Sequence, residues 1–228
     1  MSFAGFSPVA LCFLAGLAEN NEKAWFDGRR DEYEEHLLEP ARDLVVAIGE
    51  RFHDRGVDVH AVPKVGGSLM RINRDTRFAK DKRPYKTHLD LWFWQGSGHS
   101  RRAPGYWFRL TPQTLLLGAG MHHFEPDRLE RFREAVVDRK HGPALLEALD
   151  KVRRHGIEIG GERYKRLPRG YEPLGDERDR LLLHDGLFVW TELDVPPEVH
   201  TPSFPDVCVS RYLPMRPVQD WLLGAFAD

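Results

Sequence analysis

Residues 88–117 read HLDLWFWQGSGHSRRAPGYWFRLTPQTLLL, and this stretch decides the fold class. Three runs within it, 88–94, 105–111 and 114–117, are short, rich in aromatic and aliphatic residues, and bounded by Gly, Pro and polar residues. That is the pattern of β-strands. Thr111-Pro112-Gln113-Thr114 is short enough for a hairpin connection, so the second and third runs are expected to pair antiparallel. Residues 96–104 form a longer polar loop carrying Arg101 and Arg102. Trp92, Trp94, Trp107 and, further on, Trp190 sit in strand-like runs and read as core or sheet-face packing, with base stacking as the alternative use of such rings.

Upstream, β-rich character continues back to Val57, with further strands expected over 57–65 and 68–74. Before that the chain reads as helical. Ser7 and Pro8 supply an N-cap and a proline at the first helical position, and this helix should stop near Asn20-Asn21. Phe26, Arg30, Tyr33, Leu37, Ala41, Leu44, Ile48 and Phe52 then share one helical stripe, with Pro40 marking a kink or restart and Gly56 a stop. Arg30 interrupts the apolar stripe, either as a guanidinium snorkelling from its edge or as support for a polar site.

Downstream, helices are expected over 126–138 and 143–155, the second closed by Gly156. A Gly-, Arg- and Pro-rich segment, 160–176, leads to a strand at 187–193 and a C-terminal helical stretch broken by Pro214 and Pro217. The expectation is one α+β domain over 1–228: helices in 7–55, sheet in 57–118, helices in 126–155, then a strand and helices in 186–226. Its antiparallel sheet of about five to six strands would pack against the N-terminal, central and C-terminal helices.

A chain with 41% hydrophobic and 11% aromatic residues is too apolar to be disordered. Its 33 Lys and Arg against 35 Asp and Glu leave a net charge of -2, so no global field draws it to nucleic acid or anionic lipid. Cys12 and Cys208 lack CxxC spacing and are expected as reduced core thiols of a cytoplasmic protein. The apolar run 9–18 is too short to span a bilayer and has no basic residues before it, so neither membrane insertion nor export is expected.

Charge is concentrated in residues 71–88, RINRDTRFAKDKRPYKTH. Seven basic residues (Arg71, Arg74, Arg77, Lys80, Lys82, Arg83, Lys86) face only Asp75 and Asp81 there, and Pro84 forbids a continuous helix. A long ordered loop over one end of the sheet is expected, and rigidly held loops are where function concentrates. Arginine suits bidentate capture of phosphate or carboxylate, while Tyr85 and Lys86 add a hydroxyl and a point charge.

The pattern Arg71-x-x-Arg74-Asp75-x-Arg77-Phe78-x-x-Asp81-Lys82-x-x-Tyr85-Lys86 resembles the signature of a bacterial conserved-hypothetical family, domain of unknown function 2461. Gly5-Phe6, Asn20-Asn21-x-Lys23-x-Trp25-Phe26, Arg30-x-x-Tyr33-Glu34, Gly66-Gly67-Ser68 and Lys165-Arg166-x-Pro168-Arg169-Gly170-Tyr171 carry the resemblance over nearly the whole chain. Met121-His122-His123 departs from it, standing where a tryptophan and fewer histidines are expected. The resemblance implies a single α+β domain and no particular activity or cofactor.

Three functions are therefore open. The first is a site for a small phosphate- or carboxylate-bearing ligand, formed by Arg71, Arg74, Arg77, Lys82, Tyr85 and Lys86. Arg30 and the second basic segment, Arg166 and Arg169, would assist, and Asp75 or His88 would handle protons if the site is catalytic. The second is a nucleic-acid-binding module. The third is a scaffold in which the motif is a structural ion-pair network. His122, His123, Glu125 and Asp127 lack the spacing of a metal site, Gly118-Ala119-Gly120 and Gly66-Gly67-Ser68 read as turns, and nothing in the chain calls for a cofactor. The oligomeric state is open.

Overall fold

The structure, a computed structural model, describes residues 2–96 and 102–227. The chain opens with α1 (Pro8–Glu19), α2 (Lys23–Asp27), α3 (Arg30–Glu32), a π-helical segment (Tyr33–Leu38) and α4 (Glu39–Asp54). Strands β1 (Leu89–Trp94), β2 (Gly105–Leu110) and β3 (Thr114–Met121) follow, then α5 (Pro126–Val137) and α6 (His141–Arg154). The remainder comprises β4 (Glu158–Glu162), α7 (Arg178–Leu181), β5 (His184–Asp194), α8 (Phe204–Tyr212) and α9 (Arg216–Ala225). The fold is α+β, with a five-stranded antiparallel sheet in the order β1-β2-β3-β5-β4.

The chain divides into two compact units. The first holds Met1–Phe93, Trp107–Leu117 and Glu192–Ser210; the second holds Trp94–Tyr106, Gly118–Thr191 and Arg211–Asp228. Arg101 lies outside the described residues.

In the first unit the expected helical stripe is buried: Phe26, Leu37, Ala41, Leu44, Ile48 and Phe52 all face the core. Pro40 has no N–H to give, and its ring crowds the carbonyl four residues back, so the backbone opens into the π-helical segment instead of ending. Phe13 packs on Trp25 at 5.5 Å and Tyr33 at 5.9 Å. Ser7 occupies the N-cap position of α1, but its side chain makes no capping bond. Cys12, expected in the core, is exposed, because α1 turns that face outward; Cys208 is buried, and burial pushes its thiol far above the ordinary range.

Neither expected strand before residue 88 forms. Residues 57–65 are interrupted by Pro63, and Gly66, with φ +85°, begins a turn held by Ser68, whose hydroxyl accepts from Val62 N–H (3.0 Å) and donates to the His60 carbonyl (3.3 Å). Residues 68–74 do run beside the chain that enters β1, through antiparallel bridges Leu69–Leu91 and Asn73–Tyr85. Between those bridges four residue steps on one side face six on the other. Two extra residues bulge out and break the ladder, so two bridges remain where a strand was expected.

The second unit is built around α6, which buries Leu145, Ala148, Leu149 and Val152. Phe132 stacks near Phe124 (4.8 Å) and Trp221 (5.8 Å), and Trp221 donates its indole N–H to the His141 carbonyl at 2.9 Å. Gly118-Ala119-Gly120, read above as a turn, lies inside β3. A side chain at Gly120 would collide with the Leu187 carbonyl oxygen, and its φ is +117°, so glycine is required by both contact and conformation. Strand β4 was not foreseen, since EIGGE reads as loop; antiparallel pairing of Glu158 with Trp190 and Ile159 with Val189 overrides that preference.

His184 opens β5, buried, with Nδ1 at 3.2 Å from the Gly186 carbonyl. A carbonyl only accepts, so Nδ1 carries the proton. Burial, the largest influence, holds its pKa below the usual 6.5. Above about pH 6.5 both folded and unfolded forms are neutral; below it the unfolded chain binds a proton that folded His184 resists, so stability falls with acidification. Thermal melts from about pH 7 to about pH 5 should lose less stability in His184→Asn, which retains an N–H donor, than in the wild type. Parallel melting-temperature curves would refute this role.

Candidate functional site

The two-residue bulge between Tyr85 and Leu91 positions a polar cluster around Asp90 in the first unit. Asp90 accepts from Lys86 Nζ at 3.0 Å and lies 3.2 Å from His88 Nε2. From the adjacent strand β2, Arg109 donates Nε at 2.7 Å and Nη2 at 3.3 Å. The Asp90 side chain is only 15% exposed, whereas that of Arg109 is 46% exposed. Burial alone would raise the Asp90 pKa, but hydrogen bonds from His88 and Arg109 and their charges outweigh it and hold the carboxyl well below the usual carboxylate range. One carboxylate thus faces two permanent cations and an imidazole. Strand alternation puts Trp92 and Trp107 on the face that carries Asp90 and Arg109.

Beneath this cluster the loop is fastened to the helices. Tyr85 is buried and stacks on Phe26, ring centroids 4.3 Å apart and planes 16° from parallel. Asn21 clasps its backbone from both sides: Tyr85 N–H donates to Asn21 Oδ1 at 2.9 Å, and Asn21 Nδ2 donates to the Tyr85 carbonyl at 3.0 Å. Arg30 sits outside Phe26, its guanidinium carbon 5.4 Å from the ring centre, and pairs with Asp27 at 2.8 Å. It snorkels from the stripe edge and covers the ring that holds Tyr85.

The tip, 75–83, is shaped by its own acids. Asp75 and Asp81 each accept the backbone N–H two residues on, from Arg77 (3.2 Å) and Arg83 (3.0 Å), which makes two Asx-type turns. The same carboxylates bind guanidinium groups: Asp75 binds Arg77 at 2.7 Å, and Asp81 binds both Arg74 and Arg83 at 2.8 Å. Hydrogen bonds from the Arg77 side chain and backbone hold Asp75 below its ordinary pKa, and those from Arg83 do the same for Asp81. Lys82 Nζ donates to the Thr76 carbonyl at 2.9 Å. Arg74, Lys82 and Arg83 therefore fix the loop's shape. Arg71 and Lys80 are exposed and make no hydrogen bond or ion pair among the described residues.

Of the residues singled out from sequence, Lys86 and His88 come together at Asp90, and Asp75 pairs with Arg77. Arg166 and Arg169 belong to the second unit, in an exposed stretch. Asp90 and Arg109 were missed. The available signal was a charged residue between Leu89 and Leu91 and another between Phe108 and Leu110, each at an outward strand position.

In the second unit His122 packs on Phe188 (4.3 Å), and His123 and Arg163 approach Asp185 at 3.4 and 3.0 Å. Among the described residues no three His, Cys, Asp or Glu side chains converge as metal ligands. A cleft of about 590 Å³ lies between α6, α7 and β4, floored by Leu149, Ile157 and Leu181. The pairs Arg153–Glu177 (3.0 Å) and Arg180–Glu162 (2.6 Å) involve residues lining it.

Fold and site together define an α+β protein in which the end of the basic loop and the first two strands bring a cluster of bases around one carboxylate. The family model of a conserved hypothetical protein (DUF2461) matches residues 9–221, and the chain belongs to that family. Comparison with the curated proteins gives no match. Among the described residues, no helix is long and apolar enough to cross a membrane.

Proposed function

We propose that Lys86, His88 and Arg109, oriented by Asp90, bind a small phosphate- or carboxylate-bearing ligand. The supporting observation is the convergence of three bases on one mostly buried carboxylate. Asp90 neutralises one charge, which leaves positive potential and N–H groups at Lys86 and Arg109 for an incoming anion. Asp90 restrains the Lys86 and Arg109 side chains before the ligand arrives, so less side-chain entropy is lost on binding. Arg71, exposed and without a hydrogen bond among the described residues, follows Met70, whose N–H donates to the Asp90 carbonyl at 3.1 Å, and is placed to extend the site. If the bound molecule reacts, His88 is the proton-handling group, because its ring already shares Asp90 with the two cations.

Thermal shift in inorganic phosphate, pyrophosphate and a dicarboxylate series tests this. Saturation at about 100 times the dissociation constant would stabilise the folded state by about 2.7 kcal/mol. At least one of these anions should raise the wild-type melting temperature, and Arg109→Ala should lose that response while still melting cooperatively. An equal shift in wild type and Arg109→Ala, or no shift with any anion, overturns the reading.

A further inference from the structure

Phe78, at the tip of the 71–88 loop, is 95% exposed, the largest exposure of any bulky apolar side chain among the described residues. The tip that carries it is held from within: two Asx-type turns, the paired carboxylates and the Lys82 contact to the Thr76 carbonyl brace residues 74–83. The ring is therefore presented by a shaped loop. Its surroundings are basic. Residues 74–83 contain five Arg and Lys against two Asp, an excess of three positive charges on a chain whose net charge is -2. Arg77 lies 6.0 Å from the Phe78 ring centre with its side chain 77% exposed, and Lys80 is exposed with no ion pair among the described residues.

We propose that this tip contacts single-stranded nucleic acid, with Phe78 stacking on a base while Arg77 and Lys80 meet the adjoining phosphates. A flat base needs only one face of one ring, and its backbone supplies anions within a nucleotide's reach on either side. A bilayer requires several apolar side chains together, whereas Phe78 is flanked by Arg77, the half-buried Ala79 and Lys80. The inference goes beyond the anion site at Asp90, since it uses different side chains and stands whether or not that site binds a small ligand.

The test is fluorescence anisotropy of a labelled oligothymidylate with the full chain, titrated between about 50 and about 200 mM salt. Wild type should bind and weaken steeply as salt rises. Phe78→Ala should bind at least about fivefold more weakly at each salt concentration with the same salt slope, and Phe78→Tyr should restore affinity. Lys80→Ala should make the slope shallower by about 0.7, the value of one lost phosphate contact on a single strand. In Phe78→Trp the indole fluorescence should be quenched by the oligonucleotide.

No binding at the lowest salt overturns the proposal, as does Phe78→Ala binding like wild type. Binding lost in Arg109→Ala but kept in Phe78→Ala would place the oligonucleotide in the small-anion site, overturning the tip and sparing the other reading. A blue shift of Phe78→Trp on phosphatidylserine vesicles without quenching by the oligonucleotide would also overturn it, in favour of a membrane. Failure of every small anion in thermal shift, with Phe78-dependent oligonucleotide binding intact, would leave the tip proposal standing alone.

Discussion

Tyr85→Ala should destabilise the protein by about 3 to 5 kcal/mol, the range for truncating a fully packed aromatic residue. The ring is 6% exposed and lies almost flat on Phe26, so its removal leaves a cavity between the loop and the α2 helix. Phe26 also contacts Phe13 and Tyr33, so the loss extends into the aromatic cluster beneath α1. Asn21→Ala gives an independent measure of the same clamp. It keeps the stack and removes both hydrogen bonds to the Tyr85 backbone, leaving a buried N–H and a buried carbonyl unpaired at about 1 to 3 kcal/mol each. Urea denaturation of the three proteins reads both effects. A loss under about 1 kcal/mol for Tyr85→Ala would mean that the loop is not anchored through this residue.

Asp90→Asn should cost about 3 kcal/mol at neutral pH, because it removes one member of a largely buried charge cluster and leaves Lys86 and Arg109 facing each other without a counter-charge. Arg109 is nearly half exposed and can turn to water, which places the cost at the lower end for buried pairs. The pH dependence separates charge from shape. The folded carboxyl titrates below its unfolded value of about 3.9, so its stabilising contribution is complete above that pH and is lost as acid carries the solution down through the folded pKa. The stability gap between wild type and Asp90→Asn should therefore be constant from neutrality to about pH 5 and narrow below about pH 4. A gap that stays constant into strong acid would assign the effect to packing.

Asp90→Asn should also weaken any anion response measured in thermal shift, even though it raises the net positive charge of the cluster. The carboxylate's contribution is to hold the bases in place. An improved response would show that Asp90 competes with the ligand, and that ligand binding breaks the Asp90 contacts.

The helical stripe from Phe26 to Phe52 was legible from its helical period, the strands from 88 to 117 from short aromatic and aliphatic runs bounded by Gly, Pro and polar residues, and the α5 and α6 helices from the prolines that open them and Gly156 that closes the second. The density of charge in 71–88 was legible as well. Its partition was not. Seven bases against two acids looks like a single patch when written as a line, yet Asp81 holds two arginines, Asp75 holds one, and Lys86 leaves the patch to join Asp90. Strand β4 was hidden by its glycines, and the loss of regular pairing over 68–74 was hidden because a register shift depends on both partners at once.

The amino-acid sequence by itself determined the α+β class, the positions of the long helices and the central strands, and the segment where charge gathers, since these follow from periodicity and composition along the chain. Only the tertiary structure decided that Arg109 meets Asp90 across two strands, that Tyr85 is a clamp buried on Phe26, and that Phe78 stands bare at the tip. Each of those depends on pairing register or packing between residues distant in sequence, which local preference does not encode.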